Sequence, residues 1–247
     1  PSVVTRCTRA DSGGLVALVD EERIARLPEP VQRSLRWCGA IGEPIPTAVI
    51  VRQEGRIRSS RDARWLPFRA VEEYSVDPPE FVWNAALKIA GLTLGRARDS
   101  LVAGRGSMKV RLLGAFTVVD AVGPEMDQGT LLRWLNETMW FPAVWATDVI
   151  EWQPVDGTSA LGSITIGDLA VQAEFVFDDV GRFVDFRADR YYADGTEFVL
   201  RPWSTPIDSH ASFGGLELPA SGHGVWALPD GDFEYVQIRA TDISYTA

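Results

Sequence analysis

The stretch Thr47-Ala48-Val49-Ile50-Val51-Arg52-Gln53-Glu54-Gly55-Arg56-Ile57-Arg58 changes the chain's hydrophobic period to two. Val49, Val51, Gln53 and Ile57 fall on one face and Arg52, Glu54, Arg56 and Arg58 on the other, the pattern of a strand with one face buried and one wet. The same alternation recurs over residues 66–76, over 81–89 (Phe81, Trp83, Ala85, Leu87 and Ile89 together) and over 108–112, so the first half predicts a run of antiparallel strands. Upstream, Asp11-Ser12-Gly13 precedes a periodic segment through Leu15, Leu18, Val19 and Ile24, and Pro30 reads as a first-turn proline before Val31, Leu35 and Cys38. Two opening helices follow from that reading. Downstream, Asp127 is placed to cap a helix with Leu131, Leu135 and Met139 in one stripe. Pro142 interrupts that pattern inside an aromatic cluster of Trp140, Phe141 and Trp145.

After Trp152 the turn signals come at short intervals: Asp156-Gly157, Gly167-Asp168, Asp179 to Gly181, Asp194-Gly195, Gly214-Gly215 and Asp230-Gly231. They predict an antiparallel meander. The fold class expected is α+β, mainly antiparallel β: a curved sheet or open β-barrel wrapped on a few helices and enclosing a hydrophobic cavity. Without a linker or low-complexity segment, residues 1–247 are expected to be a single domain. Residues 1–42 would be helical, 47–122 a first strand group, 127–146 a central helical segment and 149–246 a second strand group.

The 247 residues carry 24 basic and 34 acidic side chains, a net charge of −10, which opposes a phosphate backbone and argues against nucleic acid as a partner. The charge is uneven. Eighteen of the basic and 13 of the acidic side chains lie in residues 1–111, against 6 and 21 in residues 112–247. Arg52, Arg56, Arg58, Arg61, Arg64 and Arg69 crowd one segment, readable either as a solvated strand-and-turn face or as an anion site. No apolar run approaches the roughly 18–20 residues of a membrane span, and the start lacks a signal pattern, so no stable membrane insertion and a cytoplasmic location are expected. Cys7 and Cys38 are too few for a structural zinc site, and their spacing argues for no disulfide.

Familiar catalytic machinery is missing. Gly104-Arg105-Gly106 lacks the later glycine of a dinucleotide fingerprint, and Ser107 is in no nucleophile elbow. His210 and His223 stand far from any paired acidic motif, so neither a metal nor a cofactor is expected. What remains is aromatic wealth, with 9 Trp, 5 Tyr and 11 Phe, and two charges that break the apolar faces. Glu72 lies among Phe68, Ala70, Tyr74 and Val76, and Arg190 among Val184, Phe186, Ala188 and Tyr192. Both point inward by period two, either to pair with one another or to meet a ligand.

Several segments together resemble an uncharacterised, largely actinobacterial domain-of-unknown-function family. They are Leu27-Pro28-Glu29-Pro30-Val31-Gln32-Arg33, Pro67-Phe68, Asp77-Pro78-Pro79-Glu80-Phe81-Val82-Trp83, Leu112-Leu113-Gly114, Gly123-Pro124-Glu125, Asp127-Gln128-Gly129 and Trp140-Phe141-Pro142. Phe177-Asp178, Gly181-Arg182, Pro202-Trp203, Phe213-Gly214-Gly215 and the Trp226, Tyr235 and Tyr245 region continue it. The resemblance covers nearly the whole chain after Leu27. It brings no activity, and it implies kinship with sheet-wrapped-on-helix carriers of lipophilic molecules. Members often have an added membrane segment, so a free-standing soluble role is expected here. Ser209 and His210 stand where the family tends to an acidic residue and a tyrosine, and His223 where an acidic residue is common.

Two functions from different classes fit these residues. The first is a cofactor-independent cyclase or isomerase folding an elongated, polyketide-like molecule. Glu72, Arg190 and His210 are its catalytic candidates, and Phe68, Tyr74, Trp83, Met139, Trp140 and Tyr192 its binding wall. The second is a non-catalytic carrier or sensor of a lipid-like ligand, which the same wall would serve. The oligomeric state is left open.

Overall fold

The computed structural model describes residues 17–89, 91–113, 116–195 and 197–247. Helix α1 (Glu21–Ile24) is a single turn whose N-cap, Asp20, accepts a hydrogen bond from the Arg23 amide at 2.8 Å. The longer opening helix expected from Asp11-Ser12-Gly13 and Leu15, like Cys7, falls outside the described residues, and Leu18 lies in extended chain bridged to Pro44. Helix α2 (Glu29–Trp37) takes Pro30 in its first turn, where the missing N–H costs nothing, and buries Val31 and Leu35.

The strands are β1 (Ala48–Ile57), β2 (Leu66–Ser75), β3 (Glu80–Ile89), β4 (Leu92–Val102), β5 (Arg105–Leu112), β6 (Phe116–Val122), β7 (Glu151–Pro154), β8 (Ser159–Ile166), β9 (Leu169–Phe177), β10 (Phe183–Asp194), β11 (Glu197–Ser204), β12 (Ile207–Phe213), β13 (Leu216–Leu228) and β14 (Gly231–Thr246). They form a 14-stranded antiparallel sheet in the order β6-β5-β4-β3-β2-β1-β14-β13-β11-β10-β9-β8-β7, with β12 paired to β13 off that path. All six turn signals of the second half fall at junctions between consecutive strands. The sequence reading passed over β4 and β6. In β4 the inward positions include the small Gly95 and Ala97, which weakens the alternation, and β6 is exposed along most of its length.

The sheet curls because extra residues interrupt its ladders, at Arg52/Gln53, Leu87/Lys88, Val110/Arg111, Phe183/Asp185 and Gly224/Val225. Each such bulge bends its strand and sharpens the local twist. The curl is strong enough that helix α3 (Pro124–Glu137) touches β4, β5 and β6 on one side and β9 and β10 on the other. Those two groups are separated by most of the sheet's width.

Helix α3 begins with Gly123 as N-cap and Pro124 at N1, so Asp127 is not its cap. The Asp127 carboxylate instead accepts the Gly106 amide at 2.6 Å and pairs with Arg105 at 3.0 Å, tying the helix to β5. Gly106 permits that approach, since a Cβ there would collide with the Met126 carbonyl and the Thr130 hydroxyl. The concave side is filled by fully buried rings, among them Tyr74, Phe81, Trp134, Phe141, Trp145 and Phe175. Several meet edge to face: Trp145 stands over Phe175 and Phe177 with centroids 5.7 and 6.0 Å apart. That geometry adds to the stabilisation from burial alone.

Candidate functional site

Two arginines stand on the inner side of the sheet in opposite electrostatic circumstances. Arg133 projects from α3, and its guanidinium is saturated by three carboxylates. Its Nη2 meets both oxygens of Glu72 at 2.8 and 2.9 Å, its Nη1 meets Asp99 at 2.7 Å, and its Nε meets Glu137, one helical turn on, at 2.9 Å. The side chains are 14% exposed for Arg133 and 0%, 5% and 4% for Glu72, Asp99 and Glu137. Gln53 extends the network by donating to Glu72 at 2.9 Å and accepting the Trp83 indole N–H at 3.0 Å. The guanidinium also lies over Phe81 and Trp83, 4.9 and 5.2 Å from their centroids.

Three acids around one fixed cation in a dry site cannot all ionise cheaply. Burial holds the Glu72 carboxyl well above the usual carboxylate range, against the opposing pull of Arg133 and with a further push from Glu137. Burial raises Glu137 in the same direction, with Arg133 again opposing. The Tyr74 hydroxyl lies beside both glutamates without a hydrogen bond of normal geometry to either, and burial pushes it up well above the ordinary phenol range. Glu72 therefore faces inward, as period two requires, but its partner is Arg133 and not Arg190. The arginine that answers it comes from the helix, 61 residues along the chain.

Arg190, on β10, is half-buried and has no ion pair or hydrogen bond among the described residues. Its guanidinium lies over Trp203 at 4.8 Å and Trp226 at 5.8 Å. Tyr192, two residues on, meets Trp226 edge to face at 5.1 Å. Arg190 is paired directly across the ladder with Arg201 of β11, a like-charge pair that weakens a sheet. Among the described residues Arg201 reaches only the exposed Asp194 at 3.9 Å, and its buried Nε has no partner there. From above, Gly129 of α3 brings helix backbone against Arg190, where a Cβ would stand 3.0 Å from its Nε.

The other sequence-predicted residues are dispersed. Phe68 and Trp83 meet at 5.5 Å on β2 and β3, and Tyr74 packs on Phe141 at 5.1 Å. Met139 and Trp140 are buried just beyond α3, where the Trp140 indole donates to the Pro219 carbonyl at 3.0 Å. His210 lies on β12, away from Glu72 and Arg190. Its Nε2 donates to the Phe183 carbonyl at 3.0 Å and its ring meets Trp37 edge to face at 5.2 Å, while burial lowers its pKa. Three open hollows of about 470, 830 and 470 Å³ lie against the outer face, and of the expected wall only Phe68 borders any of them. Arg133, Asp99 and Glu137 were passed over, as were Arg201, Trp203 and Trp226 as companions of Arg190. A charged Arg133 between Leu132 and Trp134, with Glu137 one turn on, was the available signal.

Among the described residues there is no cluster of three or more His, Cys, Asp or Glu side chains suited to a metal ion, and no helix is long and apolar enough to cross a membrane. Residues 17–238 match DUF6544, a family of unknown function, and the chain belongs to that family. None of the curated proteins matches it. A crystal structure of a DUF1329 family protein from Desulfovibrio piger is similar over 89% of this chain and 93% of its own, at 12% identity and a TM-score of 0.47. A LolA superfamily protein from Nitrosomonas europaea is similar over 94% and 95%, at 9% identity and a TM-score of 0.45.

Proposed function

We propose that this protein binds an elongated apolar molecule with one anionic end and holds or delivers it unchanged, as a carrier or sensor. The observation that carries this reading is Arg190, a guanidinium on an indole platform with no carboxylate among the described residues to answer it. Arginine presents a planar fork suited to a carboxylate or phosphate and tolerates aromatic contact because it is weakly hydrated. Trp203, Trp226 and Tyr192 supply the apolar strip along which the remainder of such a molecule lies. Arg201 adds positive potential at the same place.

The cofactor-free cyclase or isomerase has less support. An acid or base must reach the reacting atoms, and Glu72 has no exposed surface while Arg133 holds both its oxygens. His210 is spent on the Phe183 carbonyl. The test is a titration with a fluorescent long-chain fatty acid and, separately, its methyl ester. The free acid is expected to bind at least about tenfold more tightly, a difference of about 1.4 kcal/mol, and Arg190→Met is expected to abolish the preference. Equal binding of acid and ester, or a preference that survives the substitution, contradicts the reading.

A further inference from the structure

The outer face of β1–β5 carries an arrangement that no segment of the sequence displays by itself. Two rungs of residues cross the strands there in register. One runs Arg52, Val71, Asn84, Arg98, Lys109 and the other Glu54, Arg69, Ala86, Arg96, Arg111. Together they line the open hollow of about 830 Å³, whose floor is the backbone of the inward-facing Ala70, Ala85 and Ala97. Glu54 is the sole acid among its lining residues, and Arg239 is already bound to it.

Directly opposed like charges occur twice on these rungs, Arg98 beside Lys109 and Arg96 beside Arg111. Such pairs destabilise a sheet. On a chain of net charge −10, placing them side by side concentrates positive potential where the rest of the molecule lacks it. Two acids of the acidic half do reach this face, Asp120 paired with Lys109 at 2.9 Å and Asp242 at 3.8 Å from Arg52. Arg69, Arg96, Arg98 and Arg111, however, have no ion pair among the described residues, and charges beyond about 8–10 Å are largely screened at physiological salt. An anionic surface approaching this face therefore meets the arginines first.

Immediately beside the basic rungs, the β4–β6 end of the sheet exposes large apolar side chains. Leu92 at the start of β4 is 63%, Leu113 just past β5 64% and Phe116 at the start of β6 66% exposed, all at one rim of the sheet. Phe116, paired with Leu112 and through it with the inward Gly95, projects from that rim on the inner side, round the corner from the rungs. Val122 of the edge strand β6 is 72% exposed. Few of the other large apolar side chains stand so far out. We infer that this corner docks on an anionic phospholipid bilayer: Arg69, Arg96, Arg98 and Arg111 lie against the headgroups while Leu92, Leu113 and Phe116 enter the interface. Basic charge on one face and exposed apolar tips at its rim are what such a surface selects, since neither signal alone gives firm attachment. Among other occupants, a polyanion in solution would leave the apolar tips without a role, and a second copy paired along β6 would leave the two basic rungs without one.

Flotation of the full chain with vesicles tests this. Vesicles of phosphatidylcholine with phosphatidylglycerol are expected to carry the protein up the gradient and pure phosphatidylcholine vesicles are not, with attachment lost between about 0.05 and about 0.5 M salt. The triple variant Arg96→Gln, Arg98→Gln, Arg111→Gln is expected to lower the vesicle partition coefficient by at least about tenfold, and Leu92→Ser with Phe116→Ser to lower it at unchanged sedimentation coefficient. Arg190→Met is expected to leave it unchanged, which separates this inference from the ligand reading. Failure to float with anionic vesicles at low salt overturns the inference. So does retention by a polyanion without flotation, or a dimer in sedimentation that Phe116→Ser dissolves.

Discussion

Arg133 and Arg190 both stand on the inner side of the same curled sheet, 57 residues apart, yet they differ in everything that decides what an arginine does. Arg133 meets three carboxylates within 2.9 Å and is mostly withdrawn from water. Arg190 meets two indole faces and, among the described residues, no carboxylate. A saturated buried cation is a structural joint, here between α3 and strands β2 and β4. An unsaturated, half-buried one on an apolar platform is a place for something else to bind. On the proposed reading, the unanswered charge and not depth in the fold marks the binding residue.

The comparison breaks most readily at the saturated end. Arg133→Met leaves three acids buried around an apolar side chain and is expected to cost about 3–5 kcal/mol of stability at neutral pH, read by chemical denaturation. The deficit should shrink as the pH falls and the carboxylates take up protons. A loss below about 1 kcal/mol would mean that the cluster is open to water.

The same cluster sets a pH dependence of unusual sign. Glu72 and Glu137 are held above the ordinary carboxylate range, so between that range and their raised values the folded protein keeps protons that the unfolded chain has released. Stability from these groups is therefore greatest at the acid end of that window and falls as the pH rises through it. Glu137→Gln, which keeps an oxygen for the Arg133 Nε, is expected to flatten this slope in denaturation curves collected from about pH 5 to 8. An unchanged slope would place the bound proton elsewhere.

The smallest stability effects belong to the unsaturated end. Arg190→Met removes a partly solvated charge from beside Arg201 and is expected to change stability by less than about 1 kcal/mol in either direction. Arg201→Met should behave likewise while weakening attraction for an anionic fatty acid. If either substitution costs as much as Arg133→Met, the second arginine is structural too.

Much of the architecture was legible because it rests on local rules. Gly and Asp placed the second-half turns, period two placed β1, β2 and β3, and Pro30 placed α2. Strand β4 escaped because Gly95 and Ala97 occupy its inner face, where small side chains give no hydrophobic signal. Glu72 and Arg190 were legible as inward-facing charges, since side-chain alternation fixes the face once the strand is known. Their partners were not. Arg133 reaches Glu72 and Asp99 only after the sheet curls around α3, and Arg190 meets Trp226 only through the pairing of β11 with β13. The basic rungs on the outer face show the same division: the crowding of arginines at 52–69 was visible, but Arg58 is spent on the Glu234 and Arg61 carbonyls. Arg96, Arg98 and Arg111 join Arg52 and Arg69 only through strand register.

In the proposed function one of the two inner arginines holds the fold and the other holds a ligand. The arginine Nε–Hε signals in a nitrogen-15 correlation spectrum, recorded before and after addition of oleate, report on both at once. The Arg133 signal is expected to be protected from exchange and unmoved by oleate, and the Arg190 signal to shift progressively to saturation. An Arg190 signal that stays in place while the oleate is bound, or an Arg133 signal that moves in its stead, would contradict the account.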